Sequence, residues 1–385
     1  MKFMDYKKTV YLDNAASSFP KPRSVIERMN RVMNENTANP GRSGHSLSLS
    51  ASQIVFDART VISDFFGISG HEENVVFTYN ATYAINTVLR GLLRRGDHVI
   101  ISDIEHNSVL RPLVAMKKDG ISFDIAETFE SDDLTVSSFS SHIRNNTKMI
   151  FVSHASNVSG AILPLKALGD LCKKHGVLFC VDASQTAGHL PINIREMNIS
   201  ALCAPGHKSL MGPQGTGVIV ISPELNTEIS PLIYGGTGTD SLLDTQPFVL
   251  PEYLESGTLN TVGIAGLAEG VRFCMNQKNA ISSRISSLFS YAYSELEKIP
   301  YIRLFSPKTD NVGIISFSTD GIDSEQITRF LDADGICVRG GFHCSKLFHE
   351  KAQTERFGLV RVSPGVFNTK KDIFTFIISI KRLKK

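Results

Sequence analysis

Between residues 75 and 222 the chain repeatedly sets a short, unbroken apolar run against a longer stretch of helical character. That alternation restricts the fold more than any other feature. The runs are VVFT at 75, HVIIS at 98, MIFVSHA at 149, LFCVDA at 178 and GVIVIS at 217. A strand with one face in water alternates apolar and polar residues; these do not, so both faces are expected to be covered. Continuous strands alternating with helices are the pattern of an α/β fold, a mostly parallel sheet between helical layers. In such sheets chemistry gathers at the carboxyl ends of the strands.

The flanks read differently. Residues 22–36 and 51–66 read as helices, the second with Ile54, Ala58, Val61, Ile62 and Phe65 on one face. After about residue 280 comes a helix, a strand GIISFS at 313, a helix near 324–333, a strand ICVRGG and a last helix. Ile373, Phe376, Ile377 and Ile380 form the core-facing stripe of that last helix, and KRLKK suits its C-terminus. The expected organisation is a segment 1–20 packing with the small domain, a large domain 21–275, and a smaller α+β domain 276–385. No Gly/Ser linker divides them, so tight packing is expected.

Composition mainly excludes. A net charge of +2 over 385 residues argues against nucleic acid or a membrane surface as partner. The opening MKFMDYKKTV lacks an apolar signal region, and no apolar run approaches the roughly 18 residues of a membrane span. Six cysteines without a CxxC pair point to a reducing, cytoplasmic setting.

Five local patterns carry chemistry, each with a plainer alternative. In YNATYAINTVLRG a polar turn opens a helix near Ala81, whose free N–H groups and dipole attract phosphate. Thr82 could add a hydroxyl donor; equally, Asn80 could be an ordinary helix cap. In CVDASQTAGH, Asp182 ends an apolar strand, where a carboxylate needs a partner such as a basic ring nitrogen, or simply caps a loop. In APGHKSLMGPQGTGV, Lys208 sits in a glycine- and proline-rich turn after a strand. Desolvation there lowers a lysine's pKa and makes its amine a nucleophile; a solvated lysine is the alternative. In ICVRGGFHCSKLFH, Cys344 lies beside His343 and near Arg339, and positive charge near a thiol favours the nucleophilic thiolate. It could instead be inert; a metal site from His343, Cys344 and His349 lacks a fourth ligand. In LVRVSPGVFNT, Arg361 lies within an apolar strand, where its fork fits a carboxylate or a structural ion pair.

In this order the patterns resemble the cysteine desulfurase/selenocysteine lyase family of pyridoxal 5'-phosphate (PLP) enzymes, in the class V aminotransferase group of fold type I. The likeness runs from YLDNAASSFP at 11 to VFNTKKDI at 366. It is carried by NAT at 80–82, EHN at 105–107, SNVSG at 156–160, DASQ at 182–185, GHK at 206–208, ESGTLN at 255–260 and RGGFHC at 339–344. It implies a seven-stranded, mostly parallel sheet in the large domain and a smaller α+β C-terminal domain. It further implies Lys208 as the lysine that binds the cofactor covalently, Asp182 as partner of its ring nitrogen, and His106 stacked on its ring. Gln185 is similar to the donor to its phenolic oxygen, and Ala81, Thr82 and His207 to phosphate contacts. Thr258 resembles a phosphate contact reaching into the other subunit of a homodimer. Asn157 and Arg361 match contacts to the substrate carboxylate, and Arg42 and Arg339 residues at the mouth of the site. Cys344 matches the sulfur-accepting nucleophile. The short stretch of chain from Cys344 to Arg361 resembles the SufS-type group, with a short, ordered cysteine loop.

The implied activity is conversion of L-cysteine to L-alanine, with sulfur passed to Cys344 as a persulfide and then to an acceptor protein, in sulfur metabolism such as iron–sulfur cluster assembly. The alternatives are a selenocysteine lyase acting on L-selenocysteine, another PLP-dependent C–S lyase, or a class V aminotransferase. No metal is expected. Two positions depart from the family pattern. Pro205 stands where a phosphate-binding Ser or Thr is usual three residues before the lysine, and Phe342 replaces a histidine beside His343.

Overall fold

A computed structural model describes residues 9–41, 44–225 and 229–383. Strand β1 (Val10–Tyr11) precedes helices α1 (Arg23–Glu35) and α2 (Ser46–Phe65). The central region runs β2 (Val75–Thr78), α3 (Ala81–Leu92), β3 (His98–Ser102), α4 (Asn107–Met116), β4 (Ser122–Ala126), α5 (Asp132–Ser141), β5 (Thr147–Ser153), α6 (Leu165–His175), β6 (Leu178–Asp182), β7 (Ala201–Pro205) and β8 (Gly217–Ile221). Then follow α7 (Thr261–Leu296), β9 (Ile302–Leu304), β10 (Ile315–Thr319), α8 (Ser324–Ala333), β11 (Ile336–Cys337), α9 (Lys346–Ala352), β12 (Val360–Val362) and α10 (Lys370–Ile380).

Every apolar run singled out in the sequence is a strand of one seven-stranded sheet, ordered β2-β8-β7-β6-β5-β3-β4. The pairs β3–β4, β3–β5, β5–β6 and β6–β7 are parallel, and β8 runs antiparallel to both its neighbours. Alternate residues feed two cores. Ile100, Ile150, Val152 and Phe179 enter one, and Val99, Ile101, Phe151 and Cys180 the other. Strand β4 gave no apolar run because its faces are poorly covered: only Ala126 of its five residues is fully buried.

Helix α2 begins ahead of the expected start, at Ser46, because His45 caps it by accepting from the Ser48 N–H at 3.2 Å. Its buried face is turned by about one residue from the expected stripe, along Ala51, Val55, Ala58 and Ile62, while Ile54 and Val61 are half-buried. Arg59 is admitted to that face because Glu255 takes its fork at 2.9 and 2.5 Å.

The C-terminal region has its own core of Leu331, Ile336, Phe317 and Phe376, covered by the antiparallel sheet β12-β10-β9. Of ICVRGG only Ile336–Cys337 forms a regular strand, and its partner is β1, in parallel. The first described strand thus lies within the last unit of the chain. Ile373, Phe376, Ile377 and Ile380 of α10 are all buried. The 36-residue helix α7 crosses between the two regions. Its first half packs into the core around Ile264, Leu267 and Val271, and its last turns into the one around Leu288, Phe289 and Leu296. Residues 275–280 between them are exposed, and the expected boundary at 275/276 falls there, inside a continuous helix. Among the described residues no helix is long and apolar enough to cross a membrane.

Candidate active site

Strands β5, β6 and β7 end side by side, and the N-terminus of α3 faces them. The cavity so formed is lined by Ala81, Thr82, His106, Asn157, Asp182, Gln185, His207 and Lys208. Five separate sequence motifs therefore meet in one place.

Lys208 is half-buried, and its ammonium makes no hydrogen bond or ion pair with the described residues. Burial pulls its pKa down to about 8; the Asp182 carboxylate opposes this and the Arg361 and Arg339 guanidiniums add to it. A neutral amine is thus accessible close to physiological pH. The turn that presents it is closed by Gly206 N–H to Thr216 O and Gly212 N–H to Gly206 O, both at 2.8 Å. A side chain at Gly206 would bring a Cβ within 2.1 Å of Thr216 Oγ1, so only glycine passes there.

The carbonyl of His207 is a point of convergence. It accepts from the Ser18 N–H at 3.0 Å, the Ser18 hydroxyl at 3.2 Å and Lys21 Nζ at 2.8 Å. Burial lowers the Lys21 pKa to about 8. The His207 ring meets Ser17 Oγ at 3.1 Å, and burial holds it neutral with a pKa of about 4. Gln185 donates its amide to the Ala15 carbonyl at 3.1 Å. Residues 13–21 thus brace the lysine turn from outside the sheet.

Asp182 is the last residue of β6. Its Oδ1 accepts the Ser184 N–H at 2.9 Å and the Ser184 hydroxyl, while Oδ2 takes no donor from the described residues. A buried carboxylate oxygen without a protein donor is ready for a cation. His106 caps α4, its Nδ1 accepting from the Ser108 N–H at 3.0 Å. The neutral ring therefore carries its proton on Nε2. Burial, joined by the charge of Lys208, lowers its pKa to about 4.

Of the six cysteines only Cys344 is exposed; four are buried and Cys337 is half-buried. Cys344 and His343 both adopt left-handed backbone, φ 56° and 50°, a conformation that non-glycine residues hold only when their neighbours impose it. Three contacts do so. The Asn107 N–H donates to Cys344 O at 2.7 Å, the Asn157 amide to His343 O at 2.8 Å, and His343 Nε2 to Leu359 O at 3.0 Å. Asn157, expected at a substrate carboxylate, thus also holds the cysteine loop. The His343 and His349 rings stack at 6.0 Å, but among the described residues no group of three His, Cys, Asp or Glu could hold a metal.

Arg361 is 1% exposed. Its Nη1 donates to Asn157 O at 2.9 Å and its Nη2 to Asp13 Oδ1 at 2.8 Å, while Nε has no partner. The structural ion pair is therefore present, and it uses one arm of the fork. Arg339 is a backbone neighbour of Arg361, bonded in both directions. Thr258 does not line the cavity of its own chain; it is exposed beside a second hollow containing Tyr79 and Tyr83. Arg42 lies outside the described residues.

Sequence reasoning assigned no role to Asp13, Ser17, Ser18 and Lys21, nor to Ser184 and Glu105. Asp13 to Ser18 stand in the YLDNAASSFP motif and Glu105 in EHN, so the motifs were visible but the contacts were not. Glu105 is wholly buried, and burial raises its carboxyl to about 7 against the pull of hydrogen bonds from Ser102 and Ser153.

Comparison with known proteins gives this geometry its context. Residues 10–376 match the family described as Aminotransferase class-V. A probable cysteine desulfurase of Methanothermobacter thermautotrophicus is 32% identical over 94% of this chain and 92% of its own length. The chain is a member of the class V aminotransferase family. Among solved structures, this family member is similar to an apo cysteine desulfurase of Thermococcus onnurineus, with a TM-score of 0.91 and 30% identity over 98% of this chain and 95% of that one. It is also similar to the Escherichia coli cysteine desulfurase CsdA, with a TM-score of 0.86 and 25% identity over 98% and 95%. Fold type I is thus borne out. In this class V aminotransferase family member Pro205 ends β7 and lines the cavity. It offers no hydroxyl, so on that wall the polar groups come from His207 and the start of α3.

The arrangement could hold a flat, basic heteroaromatic bearing an aldehyde and a phosphate. The unpaired amine of Lys208, the open carboxylate oxygen of Asp182 and the N-terminus of α3 each suit one part of it.

Proposed function

We propose that the chain is a PLP-dependent cysteine desulfurase, working as a homodimer in the cytoplasm. It takes L-cysteine and the Cys344 thiol to L-alanine and a Cys344 persulfide. The observation that carries this reading is that the one exposed cysteine is hydrogen-bonded, through its backbone, to the residue beside His106, which lines the same cavity as Lys208 and Asp182.

PLP bound at Lys208 would supply an electron sink conjugated to the substrate's α-carbon. The Asp182 carboxylate would hold the proton on the ring nitrogen, with Ser184 fixing its orientation. Ala81, Thr82 and His207 would hold the phosphate, and Gln185 would face the phenolic oxygen. His106 would cover the ring with its neutral imidazole. Arg361 and Asn157 would bind the substrate carboxylate, and Arg339 and Arg42 would line the approach. Lys208 Nζ would take the proton from the substrate's Cα. Cys344 Sγ would then attack the substrate sulfur. The S–S bond forms as the Cβ–S bond breaks and the electron pair stays with Cβ; protonation of Cβ, and return of a proton from Lys208 Nζ to Cα, complete alanine. The persulfide would pass to the thiol of an acceptor protein, for uses such as iron–sulfur cluster assembly. Thr258, turned away from its own cavity, would reach the phosphate of the other subunit. Six thiols without a disulfide support a reducing compartment.

The test is to incubate PLP-loaded protein with L-cysteine and a reductant and to quantify sulfide and alanine. Equal amounts from wild type, lost in Cys344→Ala, are expected. Pyruvate and ammonia in place of alanine, or activity indifferent to Cys344, would replace this reading with a different lyase.

A further inference from the structure

The tripeptide Glu105–His106–Asn107 ties two parts of the site together in a way the reaction scheme does not use. On one side the Glu105 side chain anchors the end of β3 to the end of β5. Its Oε1 accepts from the Ser102 hydroxyl and from the Ser153 N–H at 2.8 Å, and its Oε2 accepts from the Ser153 hydroxyl at 2.8 Å. Ser153 is the register partner of Asp182 on the next strand. The carboxyl is therefore joined, through one serine, to the strand pair that carries the acid of the site.

On the other side the backbone of the same tripeptide reaches the cysteine loop. Ser345 Oγ donates to Glu105 O at 3.2 Å, and the Asn107 N–H donates to Cys344 O at 2.7 Å. Between these two anchor points stands His106, lining the cavity. The loop so held has two successive left-handed non-glycine residues, a shape it keeps only while something outside it dictates that shape. Glu105 is 0% exposed, accepts from three neutral donors, and pairs with no cation among the described residues. Burying such a group costs free energy that packing alone does not require.

We propose that Glu105 is the positioning residue for sulfur transfer, fixing the stretch of backbone from which the Cys344 loop is hung. The proposal rests on the desulfurase reading above, and it concerns the placing of the nucleophile rather than the binding of cofactor or substrate.

The experiment uses the full-length, PLP-loaded protein as wild type, Glu105→Ala, Glu105→Gln and Ser345→Ala. Three rates are read: the cofactor absorbance change on mixing with L-cysteine, the appearance of persulfide on Cys344 by mass spectrometry in a single turnover, and alkylation of Cys344 by iodoacetamide without substrate. Displacing a reacting atom by about 1 Å can slow a step on the order of a hundredfold. Glu105→Ala is expected to slow persulfide formation by roughly tenfold or more, on that same basis, and to alter the alkylation rate severalfold. The absorbance change should stay near wild type, and Glu105→Gln should recover most of the lost rate. Ser345→Ala removes a single hydroxyl and should act in the same direction; it carries the test if Glu105→Ala does not fold. Loss of the absorbance change in parallel with the persulfide would overturn the proposal, because Glu105 would then be holding the cofactor site. So would unchanged persulfide and alkylation rates. If wild type forms no persulfide from L-cysteine, the desulfurase reading fails by itself. The alkylation rate still decides whether Glu105 sets the loop.

Discussion

Arg361 and Asp13 are 348 residues apart in the chain and 2.8 Å apart in space, joined by an ion pair whose arginine is almost entirely buried. The pair links the first strand region to β12 and leaves Nε of the guanidinium without a partner. Removing the carboxylate strands a desolvated cation. Fully buried pairs lose about 3–5 kcal/mol on such a cut. Asp13 is 21% exposed at its side chain, so Asp13→Ala is expected to cost less, about 2–3 kcal/mol. Urea denaturation of the two proteins measures it, and a change below about 0.5 kcal/mol, the size of an ordinary surface substitution, would mean that the pair does not stabilise the fold.

The same arginine gives a kinetic prediction. With Nη1 on Asn157 O and Nη2 on Asp13, the guanidinium still has Nε–H and a second N–H on each arm to offer a substrate carboxylate; an ammonium cannot match that geometry. Arg361→Lys is expected to raise KM for L-cysteine on the order of tenfold or more, with a smaller fall in kcat. A fall confined to kcat would place Arg361 away from the carboxylate.

Lys208 has a pH signature. Its pKa is lowered to about 8, so the reactive neutral amine predominates above that pH and the protonated form below it. In protein stripped of cofactor, the rate of PLP capture should rise with pH through a midpoint near 8. A solvated lysine would put the rise near about 10.4. Stopped-flow absorbance on either side of pH 8 separates the two, and Lys208→Ala should abolish the bound chromophore.

Glu255 gives a second stability prediction. It takes both arms of Arg59 and also the Phe77 N–H. The Arg59 and Glu255 side chains are only 8% and 4% exposed. Glu255→Ala leaves a buried guanidinium and a strand N–H without their acceptor, so a loss of about 3–5 kcal/mol is expected. Thermal and urea unfolding should both register it.

The sheet was legible in the sequence because its strands are covered on both faces, which writes them as unbroken apolar runs. β4 was not, since four of the five residues of SFDIA are exposed or half-buried and need not be apolar. Lys208, Asp182 and His106 were legible because each sits at a strand end or turn with a distinctive local pattern. The bracing of the His207 carbonyl by Ser18 and Lys21 was not. It depends on contacts between parts of the chain far apart in sequence, and a serine or lysine in a loop gives no sign of where it will land. The rotation of the α2 face had the same origin, because Arg59 counts as polar until Glu255 is seen beside it.

The pairing of β1 with β11 imposes an order in time. Val10 is made well before its partner Ile336. At about 5–20 residues per second that interval is on the order of tens of seconds. During it Ser18 and Lys21 can find the lysine turn as soon as Lys208 has emerged, whereas Asp13 must wait for Arg361. A growing chain can therefore assemble the cofactor half of the site well before the half that bears Cys344, and a nascent or truncated chain that stops short of β11 would present the first without the second.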